Sequence, residues 1–260
     1  RHKAKDFNSQ DIANILNAMG KLGYKDDSMM QCLLQEARHK AKDFNSQDIA
    51  NTLWSMFCQE MVDNVLLSIF LEDLESRKFE EEDLRALYLC QVSRSIEYST
   101  SRALLPLRIS DLACKAWSKS VAAIQSSSLH EDVSSALSRL QAEHENEAIV
   151  SGMSADILLR GSTCLRHGVD DPSDIVIEVD GPSHYLRGDR LCVSGPTRFK
   201  HRLLEKSGVK VLHVPYFEWD DLPDSSAKKQ YMAAKLYDVG YRNKSIIMST
   251  LYRKLSRSRK

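Results

Sequence analysis

The segment Ile175–Tyr185 reads IVIEVDGPSHY. An apolar run of strand character carries two carboxylates, Glu178 and Asp180, at a spacing of two. Strand periodicity puts both on one face, expected here to point outward. Gly181-Pro182 turns the chain, and His184 follows just past the turn. Asp156 stands on a second apolar run, SADILL. Three carboxylates and an imidazole converging at strand ends can hold a divalent cation and activate water. The plainer use of the same residues is structural, with the acids capping turns and pairing with Arg187, Arg190 or Arg198. Spacing alone leaves both open.

Three further groups suit a polyanion. Arg198, Lys200, His201, Arg202 and Lys206 fall within one helical stretch, opposed only by Glu205. Its start follows Gly195-Pro196-Thr197, so unpaired amides and basic side chains could receive a phosphate together. A solvated basic helix face is the competing reading. Tyr185, Tyr216, Phe217 and Trp219 are aromatics that could stack bases, or core residues beside strand ends. After Asp238 the chain carries Arg242, Lys244, Arg253, Lys254, Arg257, Arg259 and Lys260 and no acid. Such a run could follow a phosphate backbone, or merely keep a tail in solution.

The elements that must position these groups divide into two halves. Arg1–Asn14, RHKAKDFNSQDIAN, recurs without change at Arg38–Asn51, a shift of 37 residues, and Phe79, Asp83 and Leu84 mark a fainter third copy. In the first copy Ile12, Ile15, Leu16 and Met19 form one apolar helical stripe. Asn8 with Asp11 opens that helix, and Gly20 and Gly23 close it. Asp26 or Asp27 starts a second helix striped by Met29 or Met30, Leu33, Leu34 and Ala37. Neither stripe can be buried alone, so the pairs must stack into a solenoid. Helical pattern continues over Leu84–Ser95, Ile109–Ile124 and Leu129–Leu140. Beyond Glu147 the period changes to strands at Ala148–Val150, Ala155–Leu159, Ile175–Val179 and Val209–Val214, with helices at Thr197–Lys206 and Ala227–Tyr237.

Composition sets outer limits. The 36 basic and 36 acidic residues balance, which excludes binding driven by bulk charge but not a local patch. Six cysteines occur without a C-x-x-C pair, so neither a disulfide framework nor a zinc site is expected. No apolar stretch is long enough to cross a bilayer, and no membrane partner is expected. The sequence opens at Arg1 inside the repeat, so a longer gene product is expected.

IEVDGPSHY, followed by GPTRFKHRLLEKSGVKVLHVPYFEWDDL (Gly195–Leu222) and KKQYMAAKL (Lys228–Leu236), closely resembles the RAP domain, an RNA-binding domain abundant in apicomplexans. The likeness covers roughly residues 153–238. FNSQDIANTLWSM (Phe44–Met56) resembles the octotricopeptide-type helical repeat that precedes such domains. The resemblance implies a restriction-endonuclease-like core in which Asp156 is the first metal-binding acid and Glu178 the acid of an E-x-K pair. Asp180 then occupies the lysine slot. A catalytic set of Asp156, Glu178, Asp180 and His184 is therefore expected to be inactive, unless Lys200 supplies the missing cation.

These observations together predict an α+β chain: an N-terminal α-solenoid of helical hairpins, then an α/β restriction-endonuclease-like (RAP) domain. The expected divisions are repeats at 1–98, a helical connector at 99–128, the RAP domain at 129–241 and a basic tail at 242–260. The resemblance implies an organellar RNA-binding protein, expected to be a non-catalytic component or assembly factor of a larger complex such as the mitochondrial ribosome. The compartment implied is the mitochondrion, with the plastid as alternative. Expected partners are RNA, organellar rRNA foremost, and ribosomal or other RNA-complex proteins docking on the repeats. The RNA contacts expected are Arg198, Lys200, His201, Arg202, Lys206, Tyr185, Trp219, Lys244, Arg253, Lys254 and Arg257. Repeat positions Asn14/Asn51 or Asn17/Trp54 could read bases, although few repeats and the acidic run Glu80–Asp83 favour protein docking as strongly. No cofactor is expected. The alternatives are a Mg²⁺-dependent endoribonuclease using Asp156, Glu178 and Asp180, and a pure protein-docking scaffold. In a retired nuclease the three acids should approach one another, at least one of them bonded or paired with an arginine or lysine.

Overall fold

The computed structural model describes residues 5–98, 103–161, 173–243 and 245–249. The chain forms two compact units, residues 1–124 with 192–203, and residues 125–191 with 204–260.

The first unit contains α1 (Ser9–Leu22), α2 (Asp27–His39), α3 (Ser46–Cys58), α4 (Asn64–Asp73), α5 (Glu81–Glu97) and α6 (Leu107–Ala122). The repeat is visible in how these helices start. Asn8 caps α1 with Asp11 answering, and Asn45 with Asp48 does the same for α3. In the fainter third copy, Asp83 accepts from the Glu80 amide at 3.3 Å. Each cap satisfies amides that a helix start leaves orphaned. Asp26, rather than Asp27, caps α2. α1 packs on α3 and α3 on α5, while α2 packs on α4. α3 therefore lies between neighbours and is buried from Thr52 through Gln59. Ile12, Leu16, Ile49, Leu53, Met56 and Leu66 are almost fully buried, each contributing about 1.5–3 kcal/mol.

Gly20 does not close α1; Gly23 does. The helix runs on to Leu22, and Gly23 takes a left-handed φ of 60°. Gly20 is a packing position instead: a Cβ there would lie 2.6 Å from the Trp54 ring.

The second unit holds α7 (Ser128–Arg139), β1 (Glu145–Val150), β2 (Met153–Leu159), β3 (Ile175–Asp180), β4 (Tyr185–Leu186), β6 (Lys210–Pro215), α9 (Tyr216–Asp220) and α10 (Ser225–Asp238). β5 (Asp189–Val193) and α8 (Gly195–Lys206) complete the chain order, each running across a boundary between the two units. The four-stranded sheet has the order β1-β2-β3-β6. β1–β2 and β2–β3 are antiparallel and β3–β6 parallel, with Glu178 opposite His213. Ile157, Ile177, Val179, Leu212 and Val214 build one apolar face against Val133 and Leu137 of α7 and Met232 and Leu236 of α10. All six residues of β3 are buried, as expected of an inner strand covered on both faces. No helix among the described residues is long and apolar enough to cross a membrane.

Candidate nucleic-acid interface

Glu178 and Asp180 share a face of β3, as a period of two dictates, but they do not point out into solvent. Glu178 is completely buried and Asp180 is 3% exposed. The outward orientation expected from sequence is corrected by the strand's position inside the sheet. Asp156 lies on neighbouring β2, and its Oδ2 accepts the Val179 amide at 2.7 Å. This carboxylate serves the ladder between β2 and β3.

Asp180 ends β3 and is bracketed by two imidazoles. Nδ1 of His184, on the 3₁₀ turn Pro182–His184, lies 3.0 Å from Oδ1, and Nδ1 of His213 lies 3.1 Å from Oδ2. At least one of the three acids is expected to be bonded, and two are: Asp156 to the Val179 amide and Asp180 to His213. Sequence reasoning missed His213. Its signal is a histidine near the end of KVLHVP, in a strand running parallel to β3. Mg²⁺ keeps several waters in a near-octahedral oxygen shell. Asp156 is turned to a backbone amide, Glu178 is sealed from solvent, and both oxygens of Asp180 face imidazoles. As folded, these three side chains do not fit a hydrated Mg²⁺ ion.

The basic helix α8 is not an open phosphate platform. Gly195, at its start, is buried, and a Cβ there would run into the Gly20 carbonyl. The first residue of α8 therefore abuts backbone of α1. Arg198 is exposed and its guanidinium donates to the Gly23 carbonyl at 3.2 Å. Arg202 donates to the carbonyls of Phe57 (2.7 Å) and Cys58 (2.8 Å) and from Nε to Glu97 (3.0 Å). Phe199, between them in sequence, is buried against Trp54 with ring centroids 6.4 Å apart. Lys200 and His201 are half-buried, and Lys206 is exposed. Trp54 is 7% exposed, so it presents no face for reading a base; Asn14 is exposed, and Asn17 and Asn51 are half-buried.

The aromatics separate into two fates. Trp219, expected to stack a base, is 1% exposed and donates Nε1–H to Asp132 at 3.0 Å. It is a core residue, because the short helix α9 turns it inward beneath Tyr231. Tyr185, Tyr216 and Phe217 stay half-buried and touch one another, with centroids 5.4–5.8 Å apart. Burial, then Asp180 and Glu218, push the Tyr185 phenol up to about 12, so it stays a neutral donor.

The expected tail does not begin free at 242. The Arg242 guanidinium lies 3.7 Å from the Tyr237 ring centre and donates to the Tyr237 carbonyl. Residues 245–249 then form a helical turn that buries Ile246 in the core. Lys244, Arg253, Lys254 and Arg257 lie outside the described residues.

Helical hairpins stacked by a repeated cap, followed by a small mixed sheet flanked by helices, define an α+β protein with a repeat array and a separate module. Residues 177–235, from β3 into α10, match the RAP domain model. The chain carries a RAP domain, and that domain implies RNA binding. Residues 1–16 and 28–53 match a family described as a protein of unknown function, DUF1601. Among curated proteins, none matches the chain.

Proposed function

We propose that this chain is an organellar RNA-binding protein and a non-catalytic component or assembly factor of a larger RNA–protein complex, such as the mitochondrial ribosome. The observation that carries the reading is the RAP match over 177–235. The octotricopeptide-like character of the helical array in front of it supports the organellar part, with the mitochondrion preferred to the plastid. rRNA is the favoured target, and the repeats are the surface offered to protein partners. The non-catalytic part is supported by Asp180. It stands in the slot where an E-x-K nuclease keeps lysine, and its oxygens are met by His184 and His213 instead.

The test is to crosslink the native protein in cells and sequence the attached RNA, in parallel with fluorescence anisotropy on the purified chain. Organellar rRNA should dominate the crosslinks, and affinity should fall steeply with salt. Ending the chain after residue 249 should lower the slope of log affinity against log salt by about 0.7 for each phosphate that is no longer neutralised. Crosslinks confined to cytosolic messages would overturn the assignment. Metal-dependent cleavage that Glu178→Ala abolishes would replace it with the endoribonuclease reading.

A further inference from the structure

The RAP match says that RNA is bound but not where or in what form. The part of the second unit that follows the 3₁₀ turn offers an answer. β4 and β5 form a hairpin that turns at Gly188, whose φ of +87° suits a residue without a side chain. Arg187, Asp189 and Arg190 on it are exposed, and Leu191 is 86% exposed. At its base the rings of Tyr185, Tyr216 and Phe217 close a triangle in which each touches the other two. The Arg190 guanidinium carbon lies 6.0 Å from the Tyr216 ring centre. A cation over a half-buried ring beside exposed arginines suits a base with its phosphate.

The nearby acids are already occupied. Asp189 accepts the Leu191 amide at 2.8 Å, and Glu218 receives the Tyr231 hydroxyl at 2.6 Å with Lys235 3.2 Å away. Asp180 faces its two imidazoles. On the hairpin itself two arginines stand against one acid, Asp189, and Lys235 offsets Glu218.

We infer that the triangle of Tyr185, Tyr216 and Phe217, with Arg187 and Arg190 of the hairpin, holds an unpaired base and the adjoining phosphates of single-stranded RNA. This rests on the RNA-binding reading above and adds to it a site and a strandedness. A duplex keeps its bases stacked and shows mainly backbone and groove, so the aromatic faces would gain nothing from it. A single strand can use the rings and the arginines together.

The test uses the full chain, with a short labelled oligouridylate and the same strand annealed to oligoadenylate. The single strand should bind more tightly. Tyr216→Ala should weaken it about tenfold, within the range for removal of one base–aromatic stack, while Tyr216→Phe keeps it. Because Tyr216 is half-buried, circular dichroism must accompany that variant. The exposed pair Arg187→Gln/Arg190→Gln cannot disturb a core, and it should flatten the salt dependence for the single strand. If the parent binds neither probe, the RNA-binding reading itself fails. If the parent binds but the arginine pair leaves affinity and salt slope unchanged, only this site fails. Equal binding of duplex and single strand, equally weakened by the variants, overturns the strandedness.

Discussion

Replacing Arg202 separates a structural arginine from an RNA contact. Its guanidinium closes the end of α3 by donating to the Phe57 and Cys58 carbonyls, and it pairs with Glu97, whose side chain is 6% exposed. It also lies 5.0 Å from the Phe199 ring centre. Arg202→Ala leaves a buried carboxylate and two helix-end carbonyls short of their donor. Breaking a buried pair from one side costs about 3–5 kcal/mol. Ser93 still donates its hydroxyl to Glu97, and Arg202 itself is 18% exposed, so a loss of about 3 kcal/mol is expected. Glu60, 3.4 Å away and 45% exposed, adds little through so wet a contact. Urea unfolding followed by tryptophan fluorescence reads the change, since Trp54 lies in the affected packing. The double variant Arg202→Met/Glu97→Met should recover the share due to the stranded carboxylate, while the two carbonyls stay short of their donor. A loss below about 1 kcal/mol in Arg202→Ala, or no recovery in the double variant, would refute the reasoning.

Glu60 stands 37 residues after Gly23 and takes the same φ of 60°. It closes α3 with the same pair of backbone bonds, Glu60 to Phe57 and Met61 to Met56. Glu60→Gly should therefore stabilise the chain by about 0.5–1 kcal/mol in urea unfolding, and a loss of stability would contradict the strain argument. Asp132 accepts from Lys228 at 2.6 Å and from Trp219, and the lysine bond above all holds its carboxyl below the usual value. A depressed carboxyl stabilises the fold above its unfolded pKa of about 3.9, and that contribution is lost as pH falls through the lower folded value. Unfolding measured from pH 6 down to about 2 should show a shallower acid limb in Asp132→Asn, with a neutral-pH cost within about 1 kcal/mol for so exposed a pair.

Element types are legible because their signals are local. Caps at Asn8 and at Asp26 or Asp27, apolar stripes at helical spacing, and β-branched runs between Gly, Pro and Asp place most helices and strands within a few residues. The hairpin of β4 and β5 and the short helix α9 escape a reading by pattern, since two-residue and five-residue elements carry too little of it. Gly20 misleads for a related reason. A glycine that ends a helix and one that admits a neighbouring ring look alike until Trp54 is seen against it.

The functional side chains are harder to read because type and spacing do not report burial. The two copies of RHKAKDFNSQDIAN make the point within one chain. Asp11 is exposed on α1, whereas Asp48, in the same fourteen-residue motif, is 3% exposed on α3 between α1 and α5. Burial lifts the Asp48 carboxyl above its ordinary value, although its bond to the Asn45 amide pulls the other way. The fourteen residues they share do not distinguish them; the helices packed around each one do. The same holds for the basic residues of α8. Arg198, Lys200, Arg202 and Lys206 look equivalent along the chain, yet Arg202 is drawn into the end of α3 while Lys206 is exposed. Charge read from sequence therefore marks which residues can meet a phosphate, and packing commits some of them, Arg202 first, to the fold.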